Sequence, residues 1–146
     1  MTTIKTLEDV QLYLISIPAI HSGGCGVSAL AMYRWLEKHK KLDNTKFVYL
    51  YSSEYDYNRN SNIMKNRNGN LKAPDHCILL HEGQFIDASG IVNLKCWGNY
   101  VQIIDEEQLV RDSVKDKDAS WNHAFERDKY IKEIEKKLKI DLSDIK

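Results

Sequence analysis

Hydrophobic positions between residues 26 and 39 recur at the spacing of an α-helix. Four of them follow an i, i+3, i+4, i+8 pattern: Val27, Leu30, Ala31 and Trp35. A second set widens this stripe: Ala29, Met32, Tyr33 and Leu36. Because a helix that is apolar around much of its circumference is a buried one, the pattern predicts a central helix from about Gly26 to His39.

The segments after this helix carry strand patterns. The stretch KFVYLYSS (46–53) is β-branched and aromatic and predicts a strand. HCILLHEGQFIDASG (76–90) predicts a hairpin with strands 76–81 and 84–89, joined by a turn at Glu82-Gly83. IVNLKCWGNYVQII (91–104) predicts one or two further strands, broken at Gly98.

Helical patterns occupy the C-terminal part of the chain. DEEQLVRDSV (105–114) predicts a helix with Asp105 as its N-cap. The tail from Ser120 has apolar residues at roughly helical spacing, namely Trp121, Phe125, Ile131, Ile134 and Leu138. Residues 6–15 fit either a short helix or an extended arm that Pro18 ends. The expected fold is one α+β domain over 1–146, with a core at about 20–104 and C-terminal helices at about 105–140.

Residues 54–75 are rich in Asn and Tyr and show little periodicity. A polar stretch without periodicity predicts a loop, and long loops inside compact domains are commonly functional. The loop ends at His76, so we expect it to form the rim or lid of a cleft, with a disordered surface connection as the alternative. Tyr55 and Tyr57 would then offer flat surfaces with polar tips for gripping a substrate chain.

Composition limits which binding partners and which cellular compartment are expected for this protein. The chain of 146 residues has 21 basic and 21 acidic side chains and no net charge, which argues against nucleic acid and against anionic membrane surfaces. No apolar run approaches the ~20 residues that a membrane span requires. Three cysteines without a signal-peptide pattern indicate reduced thiols in a cytoplasmic protein.

Cys25 stands where the predicted central helix begins, behind Gly23 and Gly24. A helix N-terminus presents unpaired N–H groups that stabilise a thiolate and can hold an oxyanion, so we expect a lowered pKa for Cys25. The glycines would allow positive φ in the turn and close approach of a substrate backbone. Cys25 thus fits a nucleophile, although a small buried residue under a turn is the alternative.

The predicted hairpin register supplies a base and its orienting group. With a two-residue turn, His76 and Asp87 lie on one face as diagonal cross-strand neighbours. Cys77 lies on the opposite face, where it is expected to be a buried core thiol. An imidazole beside a carboxylate is what a nucleophilic cysteine needs, although a structural hydrogen-bonded pair would have the same spacing.

The order of these residues resembles the papain-like cysteine peptidase superfamily. GGCGVSALAMYRWL is similar to its cysteine-bearing central helix, and HCILLHEGQFIDASG to its histidine and acid strands. The resemblance covers about residues 20–91 and implies a helix packed on an antiparallel sheet. It also implies Cys25 as nucleophile, His76 as general base and Asp87 as the third member.

The resemblance fails at the second donor of the oxyanion hole. The Gln that such enzymes often carry about six residues before the cysteine is replaced by Ala19, and Gln11 is distant in sequence. His21, Ser22 or the Cys25 N–H with another backbone group are the candidate donors.

These features predict a hydrolase of amide or peptide bonds that acts on a protein or peptide without a cofactor. An acyl transferase of the transglutaminase-like kind and an inactive binding module on the same scaffold are the alternatives. No metal site is predicted, because four convergent zinc ligands are not evident among His21, Cys25, His76, Cys77, His81 and Cys96. Nothing in the sequence indicates an oligomeric state.

Overall fold

A computed structural model describes residues 3–96, 99–116 and 125–146 of the chain. Within these ranges the fold is mixed α+β. The helices are α1 (Leu7–Ile15), α2 (Cys25–Lys38), α3 (Glu54–Asn66), α4 (Glu107–Lys115) and α5 (Arg127–Leu138). The strands are β1 (Lys46–Tyr51), β2 (His76–His81), β3 (Gln84–Asp87), β4 (Gly90–Ile91) and β5 (Tyr100–Ile104).

The five strands form one antiparallel sheet in the order β4-β3-β2-β1-β5. The predicted hairpin is confirmed at its turn, where Leu79 pairs with Ile86 and His81 with Gln84. Its second strand ends at Asp87 rather than at residue 89, because residues 88–89 form the turn to β4. Glu82 and Gly83 have φ values of 50° and 79°, as both central residues of a type I′ turn require. This turn fixes the register and therefore which side chains of β2 and β3 share a face.

The predicted central helix is confirmed as α2, which begins at Cys25 itself and packs on β2. Its apolar stripe is buried: Leu30 and Trp35 are each 1% exposed. The sheet separates two apolar clusters. Cys77 and Leu79 lie on the side of α2, whereas Ile78 packs with Val48 and Leu50 in the second cluster. The predicted alternation along β2 is therefore confirmed.

The N-terminal segment, for which a helix and an extended arm were both open, is helix α1. Thr6 and Asp9 form a capping box at its start, in which the Thr6 side chain accepts from the Asp9 N–H. Val10 and Leu14 are buried, and the helix ends three residues before Pro18. Burial of one apolar stripe and a good N-cap together favour the helix.

The C-terminal helices occur where helical spacing predicts them, with one corrected boundary. The N-cap of α4 is Glu106 rather than Asp105. In α5 the buried positions include Ile131, Ile134 and Leu138, whereas Trp121 lies outside the described residues. Among the described residues, no helix combines the length and apolar character needed to cross a membrane.

The prediction of a loop over 54–75 is wrong, because residues 54–66 form helix α3. Ser53 caps it by accepting from the Asp56 N–H, and Asn60 is completely buried. The Asn60 side chain accepts from the Lys72 N–H and donates to the Lys72 carbonyl and the Tyr51 hydroxyl. A buried Asn is polar, so it interrupts the hydrophobic pattern that signals a helix. Within 54–75, only residues 67–75 lack regular secondary structure.

Candidate active site

Cys25 occupies the first position of α2, as predicted, but its thiol is not an exposed, ionised one. The residue is 4% exposed. Burial raises the pKa of Cys25 to about 12, and hydrogen bonds from the backbone of Cys77, Gly26 and Cys25 itself only partly oppose this. The predicted lowering of the pKa is therefore wrong: desolvation of the thiolate outweighs the helix N-terminus.

The turn before Cys25 differs from the open approach that its glycines predict. Gly23 has a φ of 106°, so the expected use of positive φ is confirmed there. Gly24 is the N-cap of α2 and is covered: a Cβ at this position would lie 2.8 Å from the Ile20 carbonyl oxygen and from the Phe125 ring. Gly24 is thus a packing residue, and a substrate backbone cannot approach it in this conformation. Ser22 is exposed and closes the turn with its N–H on the Ala19 carbonyl.

His76 and Asp87 meet as the hairpin register predicts. Nε2 of His76 lies 2.7 Å from Oδ2 of Asp87, and the two residues are 0% and 3% exposed. The N–H and Oγ of Ser89 both donate to Oδ1 of Asp87, at 2.8 and 2.6 Å. Burial would raise the pKa of Asp87, but the hydrogen bonds from His76 and Ser89 outweigh it, and the pKa is lowered.

His21 adds a second imidazole to this pair. Its Nε2 lies 4.0 Å from Oδ2 of Asp87, and its ring centre is 5.1 Å from that of His76. The His21 side chain is 21% exposed, so it stands between solvent and the buried pair. Burial lowers the pKa of His21, Asp87 opposes this, and His76 adds to it. At neutral pH the ring is therefore mostly uncharged.

The Cys25 thiol contacts the backbone of strand β2 close to His76. The thiol takes a hydrogen bond from Cys77, the residue that directly follows His76, and the charge of Asp87 contributes to its raised pKa. Cys77 itself is 1% exposed, and burial places its pKa well above the ordinary value, which confirms it as a core thiol. The Cys25 thiol thus lies against the backbone of β2 at the residue after His76, and Asp87 is close enough to influence its ionisation.

Gln11 is a residue of this region that sequence spacing did not assign to it. Its Nε2 donates to the main-chain carbonyl of Asp87 at 2.9 Å. Helix α1 packs on α2 and so carries Gln11 to the end of β3. The one signal in the sequence is its position beside the buried pair Val10 and Leu14, and that signal becomes readable only once residues 6–15 are known to be helical.

A cavity of about 560 Å³ borders Gln11, between α1 and the β3–β4 edge of the sheet. Its lining includes Gln11, Leu36, His81 and Ile91. Cys25, His76 and Asp87 are not part of that lining. The cavity is therefore a neighbour of the candidate site rather than a cleft over the thiol.

The two tyrosines predicted to bind substrate stand on helix α3 rather than on a loop. Tyr55 is 71% exposed and its ring lies under the Arg59 guanidinium. Tyr57 packs against Tyr51 and Tyr100, with ring centres 6.0 and 5.7 Å apart. Both residues are on α3, which contacts β1 and β5, whereas His76 and Asp87 stand on β2 and β3. The loop on which the rim or lid prediction depended is reduced to residues 67–75, which still lead directly into His76.

Comparisons with protein-family models, with curated proteins and with solved structures each return no match to this chain. Its function is therefore inferred from the site alone.

Proposed function

We propose that the protein is a cysteine-dependent hydrolase of an amide or peptide bond on a papain-like scaffold. Cys25 is the nucleophile, His76 the general base and Asp87 the group that orients His76. The observation that carries this proposal is the buried 2.7 Å contact between His76 Nε2 and Asp87 Oδ2, with the Cys25 thiol at a helix start bonded to the backbone of the residue after His76. The α2 helix packed on an antiparallel sheet supports the scaffold.

The ionisation of Asp87 decides which nitrogen of His76 acts. A carboxyl with a lowered pKa is ionised at neutral pH and can only accept hydrogen bonds. In the neutral ring, Nε2 must then carry the proton toward Asp87, and Nδ1 is the nitrogen that accepts a proton. Asp87 thus holds the base in the productive tautomer.

Attack on the substrate requires removal of the thiol proton during the reaction. With a pKa of about 12, Cys25 is a neutral thiol before substrate binds. The proton passes to His76 Nδ1 as the sulfur forms a bond with the carbonyl carbon and the carbonyl π electrons move to oxygen. His76 then donates this proton to the leaving amine as the C–N bond breaks, which leaves a thioester. Water, deprotonated by His76, hydrolyses the thioester and restores the thiol.

The oxyanion that forms in these steps requires hydrogen-bond donors. The N–H groups at the first turn of α2 stand beside the Cys25 sulfur, and two of them already bond to it. His21, the half-buried neighbour of the pair, is the candidate side-chain donor, and Ser22 is an exposed alternative. The Gln11 amide is held by the Asp87 carbonyl, so it does not fill this role in the conformation described.

Transfer of the acyl group to an amine instead of water would use the same three residues. The thiol's burial favours a different alternative, an inactive scaffold that binds a protein partner. A residue that is 4% exposed must be uncovered before a substrate carbonyl reaches it. The catalytic and the binding proposals therefore differ in whether Cys25 forms an acyl intermediate.

A small activated ester tests this directly. The experiment mixes p-nitrophenyl acetate with a Cys96→Ser protein, because Cys96 is the exposed thiol and would react unspecifically. We expect a burst of about one p-nitrophenolate per chain and an acetyl group on Cys25 by mass spectrometry. The burst should vanish in Cys25→Ala and slow at least ~100-fold in His76→Gln. Absence of a burst, or an equal burst in Cys25→Ala, would overturn the hydrolase proposal and favour an inactive scaffold that binds a protein partner.

A further inference from the structure

Two imidazoles and one carboxylate converge at the candidate site. One ligand atom from each of His21, His76 and Asp87 can be chosen so that all three lie within 4.8 Å of one another. The measured separations to Asp87 Oδ2 are 4.0 Å for His21 Nε2 and 2.7 Å for His76 Nε2. The hydrolase chemistry uses the His76–Asp87 contact but does not require His21 to stand on the same carboxylate oxygen.

The donor set is one that Zn²⁺ prefers. Zinc binds imidazole nitrogen and carboxylate oxygen at about 2.0–2.2 Å, and three protein ligands with one open position are common. Ligand atoms around a tetrahedral zinc ion are then about 3.3 Å apart. The observed 2.7 and 4.0 Å separations bracket this value, and the remaining one, between the two imidazoles, is no more than 4.8 Å, so side-chain rotation has to bring the imidazoles together around the ion.

The surroundings allow the metal to enter and hold the carboxylate in place. His21 is the partly exposed member of the group and opens the site to solvent, whereas His76 and Asp87 are buried. Ser89 donates two hydrogen bonds to Oδ1 of Asp87 and thereby orients Oδ2 toward the imidazoles. Hydrogen bonds of this kind to a ligating carboxylate are typical of metal sites.

We propose that His21, His76 and Asp87 form a binding site for Zn²⁺. Binding at this site is independent of the hydrolase proposal, but one consequence rests on it. A metal ion on Nε2 replaces the proton there, and the neutral ring then keeps its proton on Nδ1. His76 can no longer accept a proton from Cys25, so zinc and thiol chemistry exclude one another.

Calorimetric titration of ZnCl₂ into the Cys96→Ser protein near neutral pH tests the binding. We expect one ion per chain and a loss of affinity of at least ~10-fold in His21→Gln. His39→Gln is the matched control, since His39 follows α2 outside the cluster and should leave the affinity unchanged. Absence of zinc binding, or equal affinity in His21→Gln and the starting protein, would overturn the site.

The spectrum of bound Co²⁺ shows whether the metal is bound by the imidazoles and carboxylate or by the Cys25 thiolate. Co²⁺ held by imidazoles and a carboxylate gives weak visible bands, whereas a thiolate ligand adds an intense charge-transfer band in the near ultraviolet. We expect only the weak bands, and we expect Cys25→Ala to bind Co²⁺ as the starting protein does. A charge-transfer band that Cys25→Ala removes would assign the metal to the thiol and overturn the proposal.

The inhibition is measured separately, so that the two proposals fail separately. Zinc should abolish the p-nitrophenolate burst, and a chelator should restore it. A burst that persists with zinc bound would refute the tautomer consequence. Zinc binding in a protein without any burst would instead count against the hydrolase and leave the metal site standing.

Discussion

His76 and Asp87 join two strands of one hairpin through a 2.7 Å contact between Nε2 and Oδ2, with both side chains buried. The I′ turn at Glu82 and Gly83 fixes the register that makes them diagonal neighbours. Ser89 also donates a hydrogen bond to the Asp87 carboxylate, and the Gln11 side chain donates one to the main-chain carbonyl of Asp87. This contact therefore depends on local strand geometry and on the docking of α1.

Asp87→Asn should keep the shape of the site while removing its charge. An amide can donate to Nε2, which favours the His76 tautomer with its proton on Nδ1 and leaves no base toward Cys25. We expect the rate of the p-nitrophenolate burst to fall at least ~100-fold but not to the level of Cys25→Ala. Ser89→Ala is the control: it removes the Oγ bond but keeps the N–H bond, and should cost less than ~10-fold. Equal rates in Asp87→Asn and wild type would remove Asp87 from the mechanism.

The lowered pKa of Asp87 also predicts how acid affects stability. A carboxyl whose pKa is lower in the folded state stabilises the fold above its unfolded value of 3.8. That contribution is lost as pH falls from 3.8 through the folded pKa, because over this range the unfolded state binds a proton that the folded state does not. Below pH 3.8, the free energy of unfolding measured in urea should fall more steeply with pH for wild type than for Asp87→Asn. Parallel curves for the two proteins would show that Asp87 is not preferentially ionised in the fold.

Asn60→Ala should destabilise the protein, because α3 is fastened to residues 67–75 by this side chain. The substitution leaves the N–H and carbonyl of Lys72 without their partner and removes a donor from Tyr51. We expect a loss of about 2–4 kcal/mol in the free energy of unfolding. Asn62→Ala is the matched control, since Asn62 is exposed on the same helix and should change stability by less than ~0.5 kcal/mol. Similar values for the two variants would mean that the buried hydrogen bonds contribute little.

Gly24→Ala tests whether the turn before Cys25 is a packed element. The added methyl would collide with the Ile20 carbonyl and the Phe125 ring, so we expect a destabilisation of about 1–3 kcal/mol by chemical unfolding. Ser22→Ala, at an exposed position of the same turn, should be nearly neutral. Unchanged stability in Gly24→Ala would indicate that Phe125 moves away easily, and the turn would then be open to substrate.

Local patterns predicted the parts of the fold that local chemistry determines. The stripe of α2 and the I′ turn of the hairpin are both encoded in a few neighbouring residues, and the turn fixes the His76–Asp87 contact. Helix α3 was missed because its one buried position is a polar Asn whose partners, Lys72 and Tyr51, are 12 and 9 residues away.

The errors at the site have one physical origin. A helix N-terminus lowers a thiol pKa, but only the packed structure shows how far burial counteracts it at Cys25. The closeness of Gly24 to Phe125 joins segments 101 residues apart in sequence, and the Gln11–Asp87 bond joins segments 76 apart. Tertiary contacts of this kind leave no local pattern.

The most direct test of the central claim measures whether His76 activates Cys25. Iodoacetamide is added near neutral pH to wild type and to His76→Gln, and alkylation of each cysteine is followed by mass spectrometry. Cys96 is exposed and serves as an internal standard in the same molecule. If His76 removes the thiol proton, Cys25 alkylation should fall at least ~10-fold in His76→Gln while Cys96 alkylation stays constant. An unchanged or faster reaction of Cys25 in His76→Gln would contradict the account.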